Sequence, residues 1–362
     1  MYSSRTEVGW GASNVFAYSD VSLFVRALRS IKHIPDAQSF LVMRNGVPIP
    51  TLGLGTGGLM EGEATQAIAN ALHLGYRTLD LARAYGNEHV VKEVLQTRPP
   101  PSPQQEFDAL TPPKGQASFP AFPTRPDMFL ISKVWPTELG FAPTSAAIEA
   151  SRRDLGTTYI DSYLLHWPRC IPEWPWMNCQ DTIDPNGNWI QSWKALEKAY
   201  AEGYVQSIGV SNFNVALLDE LLAVASVKPH VVQNEGHLGT DEHDTVSLDW
   251  DVRAWCTRHN VVYIPYATNR NLKEKGRVWK APSASDARKR GVHGALDVIA
   301  YMRKVSRHAV VLKFFMKTGS AIIPRSSSLR HQYENIMISE FDIDGVDMDR
   351  LGWLTAEEEK EL

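Results

Sequence analysis

Residues 128–166 read MFLISKVWPTELGFAPTSAAIEASRRDLGTTYIDSYLLH, and this stretch decides the fold. It opens on a mostly apolar run, 128–134, and closes on a second, 160–166. Short runs of this kind read as strands buried on both faces, as in a parallel sheet. Between them, 145–155 carries helical spacing. Strand, helix and strand in that order make one βαβ unit.

Outward from this unit, similar runs recur at 50–56, 76–82, 206–211, 230–235, 262–267 and 321–326, which makes eight. Helical spacing lies between them at 63–73, 193–202, 214–225 and 249–259. Eight units predict a closed (β/α)8 barrel, the TIM-barrel architecture. An open doubly wound sheet is the alternative, but it usually begins with G-x-G-x-x-G. The stretch Gly53-Leu-Gly55-Thr-Gly57-Gly58 is off that spacing. Asn45-Gly46, between apolar runs in 39–49, is a type I′ hairpin signal. An N-terminal β-hairpin there is expected to plug the barrel bottom.

The chain has 362 residues, against about 250 for a typical barrel. Three segments read as insertions into a barrel domain at 39–362. Residues 97–126 are rich in Pro, Gln, Ser and Gly and are expected to form a mobile surface loop. Residues 167–192 are rich in Trp and Pro, and 268–295 are polar and basic. The last two leave strand C-terminal ends, where barrel enzymes build their sites.

Residues 1–38 read as an extension, helical or disordered. Within it VSLFVRALRSIK at 21–32 is weakly amphipathic and basic, so organelle targeting stands as the alternative to a cytoplasmic location. A net charge of −4 with no basic stripe argues against nucleic acid as a partner. No apolar run reaches the ~18 residues a membrane helix needs. Cys170, Cys179 and Cys256 form no metal-ligand pattern, so no metal is expected. They read as free thiols, although Cys170 and Cys179 are near enough in sequence to meet in a loop. The expected state is a monomer.

The chemistry sits at strand ends. Asp80 lies near the end of the second run, Tyr85 just beyond it, Lys133 near the end of the third and His166 at the end of the fourth. Each alone has a plain reading: a cap, wall packing, a half-exposed cation, a core histidine. In a parallel barrel all four reach one mouth. Free tyrosine, with a pKa of about 10, is a poor acid at neutral pH. Lys133 beside it is expected to lower that value, and Asp80 to hold Lys133 charged and in place. His166 can donate to a substrate oxygen. A carbonyl that accepts hydride becomes an alkoxide and needs the proton Tyr85 can supply. None of these groups can give a hydride, so a nicotinamide cofactor is implied.

Seven stretches carry a family resemblance: GVPIPTLGLGT (46–56), GYRTLD (75–80) continuing to AYGNE (84–88), ISKVW (131–135), LHWP (165–168), GYVQSIGVSNF (203–213), VQNE (232–235) and IPRS (323–326), the last with Glu334-Asn335. In this order, across about 40–350, the chain resembles the aldo-keto reductases. The resemblance implies a catalytic tetrad of Asp80, Tyr85, Lys133 and His166, with Tyr85 as proton donor. It implies NADPH, with NADH as the alternative, and reduction of a small-molecule aldehyde or ketone to an alcohol.

For the cofactor, the resemblance implies contacts from Thr56 and Asp80, and from Ser211, Asn212 and Gln233 at the carboxamide. Tyr266 would stack under the nicotinamide. Arg325 and Ser326 would grip the 2′-phosphate, with His331 where the family has a second arginine. Glu334 and Asn335 would meet the adenine. Trp135 and Trp167 would line the substrate pocket with Tyr85 and His166.

The chain departs from the family pattern at Gly57, which stands where an aromatic residue is usual, and at Ala267-Thr-Asn-Arg270. Trp174 or Trp176 is a candidate for the missing wall, and Arg270 for the missing phosphate strap. Some family members bind NADPH and turn over slowly as channel subunits. A regulatory or redox-sensing barrel is therefore the alternative to an enzyme.

Overall fold

The computed structural model describes residues 15–16, 40–179, 188–238, 248–270, 272, 283 and 291–358. Strands β1 (Val15–Phe16), β2 (Phe40–Val42) and β3 (Pro48–Pro50) form a small antiparallel sheet. Within it Leu41 pairs with Ile49 and Val15 with Leu41. The hairpin is where the sequence puts it, but its turn is not type I′. Among Arg44-Asn45-Gly46 only Gly46 has positive φ, 83°. Gly46 N donates to Met43 O (2.8 Å) and Met43 N to Val47 O (3.0 Å). This is a three-residue loop with glycine in the left-handed position, a common alternative for hairpins. The Asn45 side chain accepts from Val47 N (3.2 Å) and donates to Gln206 O (2.9 Å).

Seven parallel strands follow: β4 (Leu54–Gly55), β5 (Thr78–Asp80), β6 (Phe129–Val134), β7 (Ser162–Leu165), β8 (Ile208–Ser211), β9 (Val231–Glu235) and β10 (Val262–Tyr266). They pair in chain order. The eighth expected run makes parallel bridges on both sides. Ser320 pairs with Tyr263 of β10, Ile322 with Leu52, and Arg325 with Gly55 of β4. Ala321 N donates to Tyr263 O (3.1 Å) and Gly53 N to Ile322 O (2.8 Å), which closes the barrel. A Cβ at Gly55 would lie 2.7 Å from Ile323 O, so the closing seam needs glycine there.

Strand parity then sorts the side chains. On β6, Phe129 and Ile131 point into the barrel, while Leu130 and Val134 point out to the helices. Leu41, Met43 and Ile49 of the hairpin share the inner cluster with Leu164, Val231, Val262 and Ile264. The barrel bottom is therefore plugged with apolar side chains, and the inward positions near the strand C-termini carry Asp80, Lys133, Ser211, Gln233 and Tyr266.

Helices α1 (Glu61–Leu74), α2 (Glu88–Thr97), α3 (Gln104–Asp108), α4 (Phe141–Asp154), α5 (Trp189–Ala201), α6 (Val215–Val224) and α7 (Trp250–His259) lie between the strands, one to each connection except that α2 and α3 share the one from β5 to β6. After β10 come α8 (Gly291–Arg303), α9 (Arg307–Lys317), α10 (Leu329–Ile336) and α11 (Gly345–Glu358). Starts are set by side-chain caps: Asn188, Asn214, Ser306 and Ser328 each accept from a backbone N–H three residues on. Among the described residues no helix is long and apolar enough to cross a membrane.

Two expectations are corrected here. Residues 97–126 are not a free loop. They contain α3, and Phe107 and Phe122 pack on His73 of α1 with ring centroids 5.9 and 4.7 Å away. Arg77 donates to Ala121 O (2.8 Å) and Asn70 to Ser102 O (2.9 Å). Polar composition hid three phenylalanines spaced to reach the barrel wall. The thiols of Cys170 and Cys179 are joined in a disulfide, and only Cys256 is free and buried among the described residues. Apart from β1, the reading of residues 1–38 falls outside the described residues, as do 180–187 and most of 271–290.

Candidate active site

At the mouth, Lys133 Nζ donates to both carboxylate oxygens of Asp80, at 2.8 Å each, and to Leu81 O at 2.8 Å. Lys133 is wholly buried and Asp80 nearly so. Gln233 Nε2 donates to Asp80 Oδ1 (2.9 Å). Two buried charges are tolerable because every ammonium proton has an acceptor and the carboxylate a second donor. Burial works against the Lys133 charge, but Asp80 and the nearby Tyr85 phenol outweigh it and hold the ammonium above its usual range.

Tyr85 ends a 3-10 turn, Arg83–Tyr85, that follows β5. Arg83 anchors this turn through Asp154 (3.2 Å), Glu138 (3.3 Å) and Glu88 (3.5 Å). The Tyr85 ring centroid is 5.1 Å from Lys133 Nζ. The expected lowering of its pKa is not what results. Burial is the largest influence and raises the phenol above 10.0, Lys133 pulls it back, and Asp80 adds to the rise. Tyr85 therefore stays protonated at neutral pH, ready to donate.

His166 follows β7, its ring centroid 5.7 Å from that of Tyr85 and 4.9 Å from that of Trp135. Burial, then the Lys133 charge, pushes its pKa well below 6.5, so the imidazole is neutral. Its Nδ1 is buried without a protein partner. A neutral ring carries one N–H, available to an oxygen placed at the mouth.

Asp80, Tyr85, His166, Trp135 and Trp167 all line one cavity of about 680 Å³. The cavity also meets Ser211, Asn212, Gln233 and Tyr266. Asn212 is in the left-handed region (φ 63°), and its amide donates to His166 O (2.8 Å) and Ser211 Oγ (3.1 Å). Tyr266 OH donates to Asn212 Oδ1 (2.7 Å). This leaves an aromatic face and a row of amide and hydroxyl groups along one side, a set suited to a flat, polar ring.

The remaining expected residues divide. Arg325 is exposed at the seam and donates to Gly57 O (3.1 Å). Ser326 Oγ bonds the Ser328 backbone, and His331 is exposed on α10. Glu334 is half-buried and faces Arg330 at 3.7 Å. Thr56 is fully buried, its hydroxyl donating to Asp80 O (2.9 Å) and its own carbonyl accepting from Asn87 (3.0 Å). Asn335 is also buried, with Oδ1 bonded to His308 Nε2 (2.7 Å). Thr56 and Asn335 are thus both buried against protein partners, Thr56 behind Asp80 and Asn335 beside His308.

Two features escaped the sequence reading as parts of the site. Glu235 lines the cavity and pairs with Arg270 at 2.7 Å. It too is an ionisable group at a strand end, so the rule that found Lys133 would have found it. Arg83 as the anchor of Tyr85 had no local signal, because its partners lie on three other elements. A Cβ at Gly57 would lie 3.1 Å from the Tyr85 ring, so glycine there gives the phenol its space.

The family model of the aldo/keto reductase family matches residues 51–354. Human "aldo-keto reductase family 1 member A1" is 29% identical over 325 residues, covering 88% of this chain and 90% of that one. A crystal structure of an aldo/keto reductase from Brucella melitensis superposes with a TM-score of 0.64 at 26% identity, covering 87% and 98%. A Bombyx mori aldo-keto reductase (AKR2E4) in complex with NADP superposes at 0.66 with 23% identity, covering 87% and 92%.

Proposed function

The chain belongs to the aldo-keto reductase family, and from that premise we propose that it is an NADPH-dependent oxidoreductase that reduces aldehydes or ketones to alcohols. The observation that carries this reading is the buried Asp80–Lys133 pair beneath Tyr85, with neutral His166 beside it, at one cavity.

Bound nicotinamide would supply the hydride. The Tyr266 ring, with Ser211, Asn212 and Gln233, fits a nicotinamide ring and its carboxamide, and Asp80 borders the same cavity. Exposed Arg325, with Ser326 and His331, is our candidate grip for the 2′-phosphate, and Glu334 for the adenine. Asn335 and Thr56 act through neighbours on this reading.

The substrate carbonyl lies between Tyr85 and His166. His166 N–H donates to its oxygen, and Tyr85 O–H delivers the proton as negative charge develops there. Lys133 stabilises the phenolate left behind, and Asp80 keeps Lys133 charged. Trp135 and Trp167 exclude water from one side. We place this chemistry on one barrel domain, residues 39–362, acting as a cytoplasmic monomer.

Consumption of NADPH against a panel of aldehydes and ketones tests the proposal. Turnover of at least one class supports it. Tight NADPH binding with no consumption across the panel would leave a regulatory barrel instead.

A further inference from the structure

The segment that leaves β7 turns back on itself, and its ends are joined by the Cys170–Cys179 disulfide. It carries Trp174 and Trp176 on either side of Pro175. Their rings stack, with centroids 5.5 Å apart and planes at 20°. Trp167 meets Trp174 edge-on at 5.2 Å, and Trp176 reaches Trp135 at 5.8 Å. Trp135 packs in turn on His166. A row of rings therefore runs from the reacting histidine to the rim.

Trp174 and Trp176 are 38% and 57% exposed, so burial of their own surface does not hold these rings. The loop that carries them is held by the fully buried Met177 side chain, by backbone bonds such as Met177 N to Trp174 O (2.9 Å), and by three further ties. Trp135 Nε1 donates to Met177 O (3.0 Å), Ile171 N to Met177 Sδ (3.4 Å), and the disulfide closes the ends. The other candidate wall position, Gly57, has no side chain, and a Cβ there would already crowd the Tyr85 ring at 3.1 Å.

We propose that Cys170 and Cys179 determine substrate selectivity through this wall. Bonded, they hold the Trp174–Trp176 stack in place, and planar aromatic carbonyls are favoured over small aliphatic ones. Reduced, the loop loosens and the preference falls. The inference rests on the carbonyl-reductase reading. Fixing exposed rings before substrate arrives removes their ordering cost from binding. In the switching step a dithiol supplies two electrons and two protons. The S–S bond breaks, Cys170 and Cys179 become thiols, and the dithiol closes to its own disulfide. Selectivity then follows the thiol poise of the compartment, which in a glutathione-reduced cytoplasm favours the open form.

The experiment compares the full chain, air-oxidised or reduced with dithiothreitol, on 2-naphthaldehyde and on propanal with NADPH. Alkylation under denaturing conditions counts the thiols in each sample. The aromatic-to-aliphatic ratio of kcat/KM should fall at least about tenfold on reduction. Cys170→Ser/Cys179→Ser should show the low ratio with or without dithiothreitol. Trp174→Ala/Trp176→Ala should lower the ratio and abolish its response to dithiothreitol. A ratio that stays within about twofold, or three free thiols in the oxidised sample, overturns the proposal. If neither of these two aldehydes is consumed, the reductase reading is decided separately by the full panel of aldehydes and ketones. The wall is then judged by quenching of tryptophan fluorescence with 2-naphthalenemethanol. Affinity that weakens about tenfold on reduction supports the proposal, and unchanged affinity overturns it.

Discussion

Tyr85 is the residue on which the chemistry turns, and its environment makes a specific claim. Burial lifts its pKa above 10.0 despite Lys133, while burial and Lys133 together push His166 well below 6.5. The donor is thus protonated and the imidazole neutral across the neutral range. For carbonyl reduction, kcat/KM should be flat between about pH 6.5 and 9 and fall only where Tyr85 deprotonates, above 10. A break near pH 8 would contradict this assignment. Tyr85→Phe should keep NADPH affinity within about twofold and lose more than about a hundredfold in kcat, some 2.7 kcal/mol of barrier. A loss under tenfold would remove Tyr85 as the essential acid. Gly57→Ala tests the same hydroxyl by crowding. The added methyl would sit 3.1 Å from Cζ and 3.3 Å from the oxygen of Tyr85. Stopped-flow turnover should slow by about three- to tenfold with cofactor binding unchanged, since a small displacement of a reacting group is costly.

At the scale of elements, strand parity explains why residues distant in sequence share one mouth. Lys133 stands two residues beyond Ile131 on β6, so a strand whose lower half fills the core presents a cation at its upper end. The same period of two puts Asp80 above Thr78 and Ser211 above Gly209. A one-residue register slip would send each of these groups outward into the helix layer. The 97–126 segment behaves differently, because it is tied to α1 through rings rather than through strand order. Phe122→Ala, at a half-buried position, should cost about 1–2 kcal/mol in urea unfolding while leaving turnover in place. No measurable loss would mean the contact on His73 is not maintained in solution.

At the scale of the whole molecule, closure brings the last barrel segment beside the first. Arg325 reaches Gly57 only because 320–325 bridges both β10 and the start of the barrel. A cofactor lying from Tyr266 to Arg325 would bridge that seam and stabilise the closed barrel. NADPH at a hundred times its Kd should add about 2.7 kcal/mol to unfolding. Arg325→Ala should weaken NADPH about ten- to a hundredfold, the worth of a charge-assisted phosphate contact, and leave NADH within about twofold. Titration of both cofactors decides it, and equal weakening would remove the 2′-phosphate role.

The sequence by itself determined the eight strand runs, the hairpin at the barrel bottom and the places of Asp80, Lys133 and His166 at strand ends. The runs and their ends follow from local periodicity, which is set by backbone geometry within a single strand, and the hairpin follows from the Asn45-Gly46 turn signal. Tertiary structure alone decided the rest. The pKa of Tyr85 is a balance of burial and the Asp80 charge against the Lys133 charge, on different strands, and no window of sequence contains that sum. Thr56 and Asn335 match a family pattern, yet packing against Asp80, Asn87 and His308 turns them inward. Cys170 and Cys179 read as separate thiols until the fold of their loop brings them together, with two tryptophans between them at the mouth. Each of these outcomes depends on groups brought together by the folded chain, which is why periodicity could not supply them.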